Sequence, residues 1–281
     1  MNVAFAFEMV QRQKDEVRAR LIAAGRGVFA EVGFETATVA AIAERAGVST
    51  GNVYRYFGSK EELLEEVLPA SFVRKFRGLV RARVDALAGV RDIGLLAAGA
   101  EYFAAADRLF EFCVAERERV VFLLSGARGT EWEGFAQSLC RDLERWALVY
   151  ARRAWPKLRP SAALRFTLRE VYRSYVGSLA HALKTYTSRA ALEDAVAHLS
   201  GYHLAGMKQL FETAMLAAEV RRRRPMGGVG TRGVGTRGVG ARGVGARGVG
   251  ARGVGARGVG TRGVGTRGVG ARGVGRKGGA A

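Results

Sequence analysis

One stretch, Thr38 to Glu62 (TVAAIAERAGVSTGNVYRYFGSKEE), limits what this chain can fold into more than any other. Thr38 is placed to cap a helix whose apolar stripe is Val39, Ile42, Ala43 and Ala46. Gly47 can end that helix by taking a positive φ at low cost, and Val48 fills the corner. Ser49 then caps a second helix, Thr50 to Phe57. Ser59 with Glu62 makes a capping box that opens a third helix at Lys60. Two short helices around a short glycine-containing turn are a helix-turn-helix, whose second helix can lie in a major groove.

The second helix exposes an uncommon set of side chains. Thr50, Asn52, Tyr54, Arg55 and Tyr56 are hydrogen-bonding or cationic, while Val53 and Phe57, one turn apart, can anchor it. Gly51 in its first turn costs about 1 kcal/mol against alanine, which suggests a backbone that something else must approach. The plain alternative is a small amphipathic helix in an all-α core. Cap, turn, glycine, aromatic pair and basic residue all fall at compatible positions, which favours the DNA-reading alternative.

The segment from Arg20 to Leu64 resembles the N-terminal DNA-binding domain of TetR-family transcriptional regulators. The residues that carry the resemblance are Ala23, Ala24, Phe29, Gly33, Thr38, Ile42, Ala43, Ala46–Ser49, Gly51, Tyr54, Phe57 and Ser59–Glu61. Beyond Leu64 the resemblance is one of architecture. It implies a DNA-binding set of Thr38, Ser49, Thr50, Gly51, Asn52, Tyr54, Arg55, Tyr56 and Lys60. Thr38, Tyr54, Tyr56 and Lys60 would hold phosphates, and Thr50, Asn52 and Arg55 would reach base edges, Arg55 being suited to a bidentate contact with guanine. The family often has histidine where Tyr56 stands. The resemblance also implies a homodimer through the last two helices, a near-palindromic operator in double-stranded DNA, and a small effector held in the helical body.

The rest of the chain is compatible with this. With 281 residues, 48% of them hydrophobic, there is room for two domains and a sizeable core. No run of 18 apolar residues occurs, so no membrane span is expected. The opening MNVAFAFEMV is apolar but lacks basic residues before its apolar part, and it reads as an extension (1–13) leading into the first helix. Cys113 and Cys140 match no CxxC or disulfide framework, and a reducing cytoplasm is expected.

The first helix is expected over Lys14–Val32, with an apolar face at Val17, Leu21, Ala24, Val28 and Val32, so that the DNA-binding domain spans 14–62. A long connector is expected from Lys60 to about Leu87, kinked at Pro69. Helices are then expected at about Asp92–Ala106, over a broken stretch Leu109–Leu124, and at Thr130–Trp155, with a turn at Gly126–Gly129. Aromatic residues crowd this region, and Phe103, Phe110, Phe122, Trp132 and Phe135 are the candidates to line an effector pocket. Pro156 and Pro160 bracket a loop, followed by helices Ser161–Lys184 and Ser188–Val220 that complete an effector-binding and dimerisation domain over 63–220. His198 and His203 are five apart, the wrong spacing for two metal ligands on one helical face. No nucleophile–base or paired-carboxylate pattern suggests catalysis, and no glycine-rich phosphate loop or cofactor motif is present.

Charge is unevenly placed. Residues 221–281 hold 15 basic residues and no acidic one, whereas the first 220 hold 30 basic and 26 acidic. From Gly228 a pentapeptide repeats ten times, nine GVG(T/A)R and a final GVGRK. With glycine at two of five positions and no large apolar side chain, a packed core is impossible, and disorder is expected. Three uses stay open for this tail: sequence-independent attraction to DNA phosphates, passive tolerance of a tandem repeat, or RNA or another acidic partner. The composite expectation is an all-α, cytoplasmic, nucleoid-associated DNA-binding regulator, a repressor released by a small hydrophobic molecule. The rival class is an architectural DNA-binding protein dominated by the tail.

Overall fold

The structure of the protein is a computed structural model that describes residues 3–90 and 100–223. The basic repeat tail, expected over 221–281 to be disordered, lies outside these residues from Arg224 onward. All described residues belong to one compact unit. Their regular elements are α1 (Val3–Val32), α2 (Val39–Ala46), α3 (Thr50–Tyr56), α4 (Lys60–Val67), α5 (Ala70–Asp85), α6 (Glu101–Ala115), α7 (Arg117–Val121), a π-helical turn (Phe122–Gly126), α8 (Phe135–Ala154), α9 (Ala162–Thr185) and α10 (Arg189–Arg223). The all-α fold class follows directly. None of these helices is long and apolar enough to cross a membrane.

α1 starts at Val3, well before Lys14, because nothing in the apolar opening segment breaks a helix. It buries Leu21, Ala24, Val28 and Phe29 against Ile42, Ala43 and Ala46 of α2 and Val53 and Phe57 at the α3 end. Val32, expected on the same face, is exposed where the helix runs out. Gly33 follows at φ +78°, a conformation that favours glycine, and turns the chain so that Phe34 folds back onto Phe29 with ring centres 5.5 Å apart.

The expected connector from Lys60 to Leu87 is two helices. Leu68 leaves helical geometry at φ −131°, ψ 68°, and Pro69 at φ −66°, ψ 149° occupies the position before α5. The proline ring crowds the preceding residue out of the α region and offers no N–H, so the helix is broken rather than bent. Leu68 is nevertheless buried, as are Leu63, Leu64 and Val67 before it and Phe72, Val73 and Phe76 after it.

Residues 91–99 lie outside the described residues, and with them most of the helix expected at Asp92–Ala106. α6 begins at Glu101 and runs through Leu109 to Ala115, so the expected break falls later, at Glu116. The expected helix Thr130–Trp155 begins only at Phe135, after Gly129 (φ +77°) and Gly134 (φ +79°). α9 and α10 fall close to their expected bounds, and Ser161 Oγ accepts from Leu164 N at 3.1 Å to cap α9. α5 packs on α6 and α8, α8 on α9, and α9 on α10.

Candidate functional site

The helix-turn-helix is built by caps. Thr38 Oγ1 accepts from Ala41 N at 3.1 Å and starts α2. Gly47 at φ 65° ends it, with Val48 N donating to Ala43 O at 3.0 Å. Ser49 Oγ accepts from Asn52 N at 3.3 Å and starts α3. Ser59 Oγ accepts from Glu62 N at 3.1 Å, but the Glu62 carboxylate accepts from Gly58 N at 2.7 Å instead of closing the reciprocal box on Ser59.

These caps fix which face of α3 looks outward. Val53 and Phe57 are buried, while Thr50, Gly51, Tyr54 and Arg55 are exposed and Asn52 and Tyr56 half-buried. Arg55 Nη1 donates to Asn52 Oδ1 at 3.4 Å, which brings these two side chains together. A Cβ on Gly51 would meet nothing within 4 Å, so the fold itself makes no demand for glycine there. Thr38 and Ser49 are exposed beside this face with their hydroxyls engaged as caps. Lys60 differs from the rest. Its Nζ donates to Phe34 O at 2.8 Å and Ala37 O at 2.9 Å and lies 4.2 Å from the centre of the Phe34 ring, so two of its three donors serve the fold. Arg18 and Arg26, which are nearby in sequence, pair at 2.6 Å with Glu66 and Glu118.

Residues 21–67 match the family model of bacterial regulatory proteins, tetR family. That stretch is a TetR-type helix-turn-helix. Sequence relatives agree over the same part of the chain. An uncharacterized HTH-type transcriptional regulator, YfiR, of Bacillus subtilis (strain 168) is 32% identical over 72 residues, 26% of this chain and 35% of the relative. HbdR, an HTH-type transcriptional regulator of Aromatoleum sp. (strain CIB), is 44% identical over 50 residues, 18% of this chain and 22% of its own. The HTH-type transcriptional repressor KstR2 of Mycobacterium tuberculosis is 38% identical over 61 residues, 22% of this chain and 30% of its own. The matched region thus spans about a third or less of the length of these relatives. Among solved structures, a TetR family transcriptional regulator from Chloroflexus aurantiacus aligns over 72% of this chain and 93% of its own, at 13% identity and a TM-score of 0.39.

Behind the TetR-type head, α5, α6, α8, α9 and α10 enclose a cavity of about 130 Å³. Its walls are largely apolar, from Phe76, Val80, Leu139, Leu143, Met207 and Phe211. Its polar part is a cluster. Arg83 donates to Tyr102 Oη from Nε at 3.1 Å and Nη2 at 2.7 Å, and from Nη1 to Tyr175 Oη at 3.3 Å. Tyr175 Oη and Ser200 Oγ are 2.9 Å apart, and the His203 ring stacks on Tyr175 with centres 4.1 Å apart. Burial pushes the Tyr102 and Tyr172 phenols up from their ordinary range and pushes His203, also facing the Arg83 charge, down to about 4. Burial likewise pushes the Cys113 thiol on the cavity wall up to about 12.

None of the five aromatic residues expected to line an effector pocket is among the residues lining this cavity. Phe103 points outward and is 42% exposed. Phe122 and Phe135 are buried in the continuous core, and Phe110 and Trp132 pack against it half-buried. Helix phase is the reason: Tyr102, Leu109 and Cys113, at seven- and four-residue steps through α6, face the cavity, and Phe103 and Phe110 fall one position off that stripe. Sequence reasoning missed Arg83, Tyr102, Tyr172, Tyr175 and His203, and of these Arg83 had a legible signal. Phe76, Val80, Val84 and Leu87 form an inward stripe, and Arg83 sits on it, where a cation is not expected.

The cavity wall continues into the head. Leu124 lines the cavity from the π-helical turn, and Phe122, two residues back, packs on Phe29 of α1 with ring centres 5.6 Å apart. Gly126 O accepts from Phe34 N at 3.0 Å, and Arg119 Nε donates to Val67 O at 2.7 Å.

Proposed function

We propose that this chain is a TetR-family, sequence-specific DNA-binding regulator in the cytoplasm. It acts as a homodimeric repressor that a small molecule in the cavity releases from a near-palindromic operator. The observation that carries the reading is the outer face of α3. Thr50, Gly51, Tyr54 and Arg55 are turned outward by two caps and a left-handed glycine, while the anchors Val53 and Phe57 are nearly inaccessible. Thr50, Asn52 and Arg55 are the base-reading set; Thr38, Tyr54, Tyr56 and the remaining donor of Lys60 face phosphate, and Ser49 and Gly51 set how closely the helix approaches. On α9 and α10, Phe166, Tyr202 and Leu216 are more than half exposed, which supports a partner copy on these helices.

Selection of bound fragments from random DNA tests this. The full chain should prefer one short palindrome over random sequence by at least about 10³. Arg55→Ala should cost about 1–3 kcal/mol and relax preference at one base position per half-site. Uniform weakening on all sequences would move Arg55 to the phosphate contacts, and no preference in the intact chain would overturn the reading. The second reading, an architectural DNA binder, rests on the 15 basic residues of 221–281 and requires little sequence preference with a steep salt dependence.

A further inference from the structure

The cavity joins an apolar wall to a cation, Arg83, with no carboxylate acting on it among the described residues. Arg83 is held by the hydroxyls of Tyr102 and Tyr175, and among the described residues none of the groups acting on its charge is a carboxylate. The phenols of Tyr102 and Tyr172 stay protonated because burial disfavours their anions, so they supply dipoles and no counter-charge. His203, neutral at pH 7, adds no second cation. A charge in low-dielectric surroundings without an opposite charge is costly, and an anion that brings its own hydrocarbon into the cavity would relieve the cost.

We infer that the cavity takes a small apolar carboxylic acid, bound as its carboxylate against the Arg83 guanidinium, with its hydrocarbon part against Leu143, Met207 and Phe211. Among the described residues, tyrosines take three of the five Arg83 N–H donors, and the two that remain, one on each terminal nitrogen, can serve the two oxygens of a carboxylate. Inorganic phosphate would leave the apolar wall empty, and a neutral phenol or amide would leave the cation unpaired. A cavity of about 130 Å³ suits a single aromatic ring or a short aliphatic chain.

The inference rests on the reading of this cavity as the effector site, and the experiment separates the two. Benzoate and hexanoate are titrated into the full-length protein at pH 7 by calorimetry, each beside its isosteric amide, benzamide or hexanamide. The acids should bind at least about tenfold more tightly than the amides. Arg83→Met should erase that gap while leaving amide binding in place, and the wild-type comparison stands alone if the variant does not fold. Equal affinity, preference for the amides, or no saturable binding of either acid overturns the proposal. Acids that bind without loosening the operator complex keep the ligand class and overturn effector release. A neutral compound that fills the cavity and frees the operator overturns the ligand class and keeps effector release.

Discussion

Lys60 and His203 both carry sequence labels that their surroundings redefine. Lys60 sits where the TetR-type pattern has a phosphate contact, yet its ammonium closes the turn between α1 and α2 by bonding the carbonyls of Phe34 and Ala37. Any phosphate it meets is therefore held by a group whose position the head's own backbone fixes, which lowers the entropy lost on binding. His203 reads in sequence as a helical histidine without a metal partner; in the fold it lies among Tyr172, Tyr175 and Arg83 with its pKa near 4 against an ordinary 6.5. A histidine that protonates more readily unfolded than folded contributes stability that is fully present above about pH 6.5. That stability is lost as pH falls from 6.5 through about 4. The difference amounts to at most about 3 kcal/mol. Denaturant unfolding of wild type and His203→Phe between pH 4 and 7 measures it. The wild type should lose stability more steeply below pH 6.5 than the variant, and parallel curves would refute the buried neutral imidazole.

At the scale of elements, the π-helical turn is the joint between cavity and head. Leu124 faces the cavity, Phe122 is inserted against Phe29, and Gly126 meets the end of α1. A Cβ on Gly126 would stand 3.2 Å from Phe29 O and 3.0 Å from the Phe122 ring, and Gly33 across the contact has a positive φ that also favours glycine. The two glycines let two backbones touch. Gly126→Ala should destabilise the protein by about 1–3 kcal/mol by overpacking this joint, read as a drop in thermal midpoint. It should also weaken operator binding although no residue of α3 is altered. An unchanged midpoint would mean that the contact has slack, and unchanged operator binding would mean that it transmits nothing. This joint was only half legible in the sequence. The caps Thr38, Ser49 and Ser59 and the turn at Gly47 could be read from spacing because each acts within one helical turn. The partner of Phe122 could not, since Phe29 lies far away in sequence and no local pattern encodes who meets whom. The same limit applies to the cavity. Aromatic density pointed to α6 and α8, but which face of α6 turns inward is decided by packing on α5.

At the scale of the whole molecule, charge is divided between two kinds of chain. The first 220 residues carry a net charge of +4, while 221–281 add +15 with no acidic residue. A nearly balanced body gives little net attraction to nucleic acid, so on the proposed reading any preference for a site comes from α3. Repeats with an arginine every five residues carry no pattern that could read bases, and if they meet DNA their contribution would be counterion release, which scales with the number of phosphates met. The two contributions are therefore separable by salt. Footprints of the full chain and of a chain ending at Val220 should cover the same palindrome, because the reading helix is intact in both. The logarithm of affinity should fall less steeply with the logarithm of salt in the shortened chain, by about 0.9 for each phosphate contact removed. At low salt the full chain should bind more tightly, and at high salt the two should converge. Equal slopes would show that the tail is a passenger on DNA, leaving its arginines for RNA or another acidic partner. Loss of all protection on truncation would mean that the tail is the DNA-binding element and that α3 only assists it.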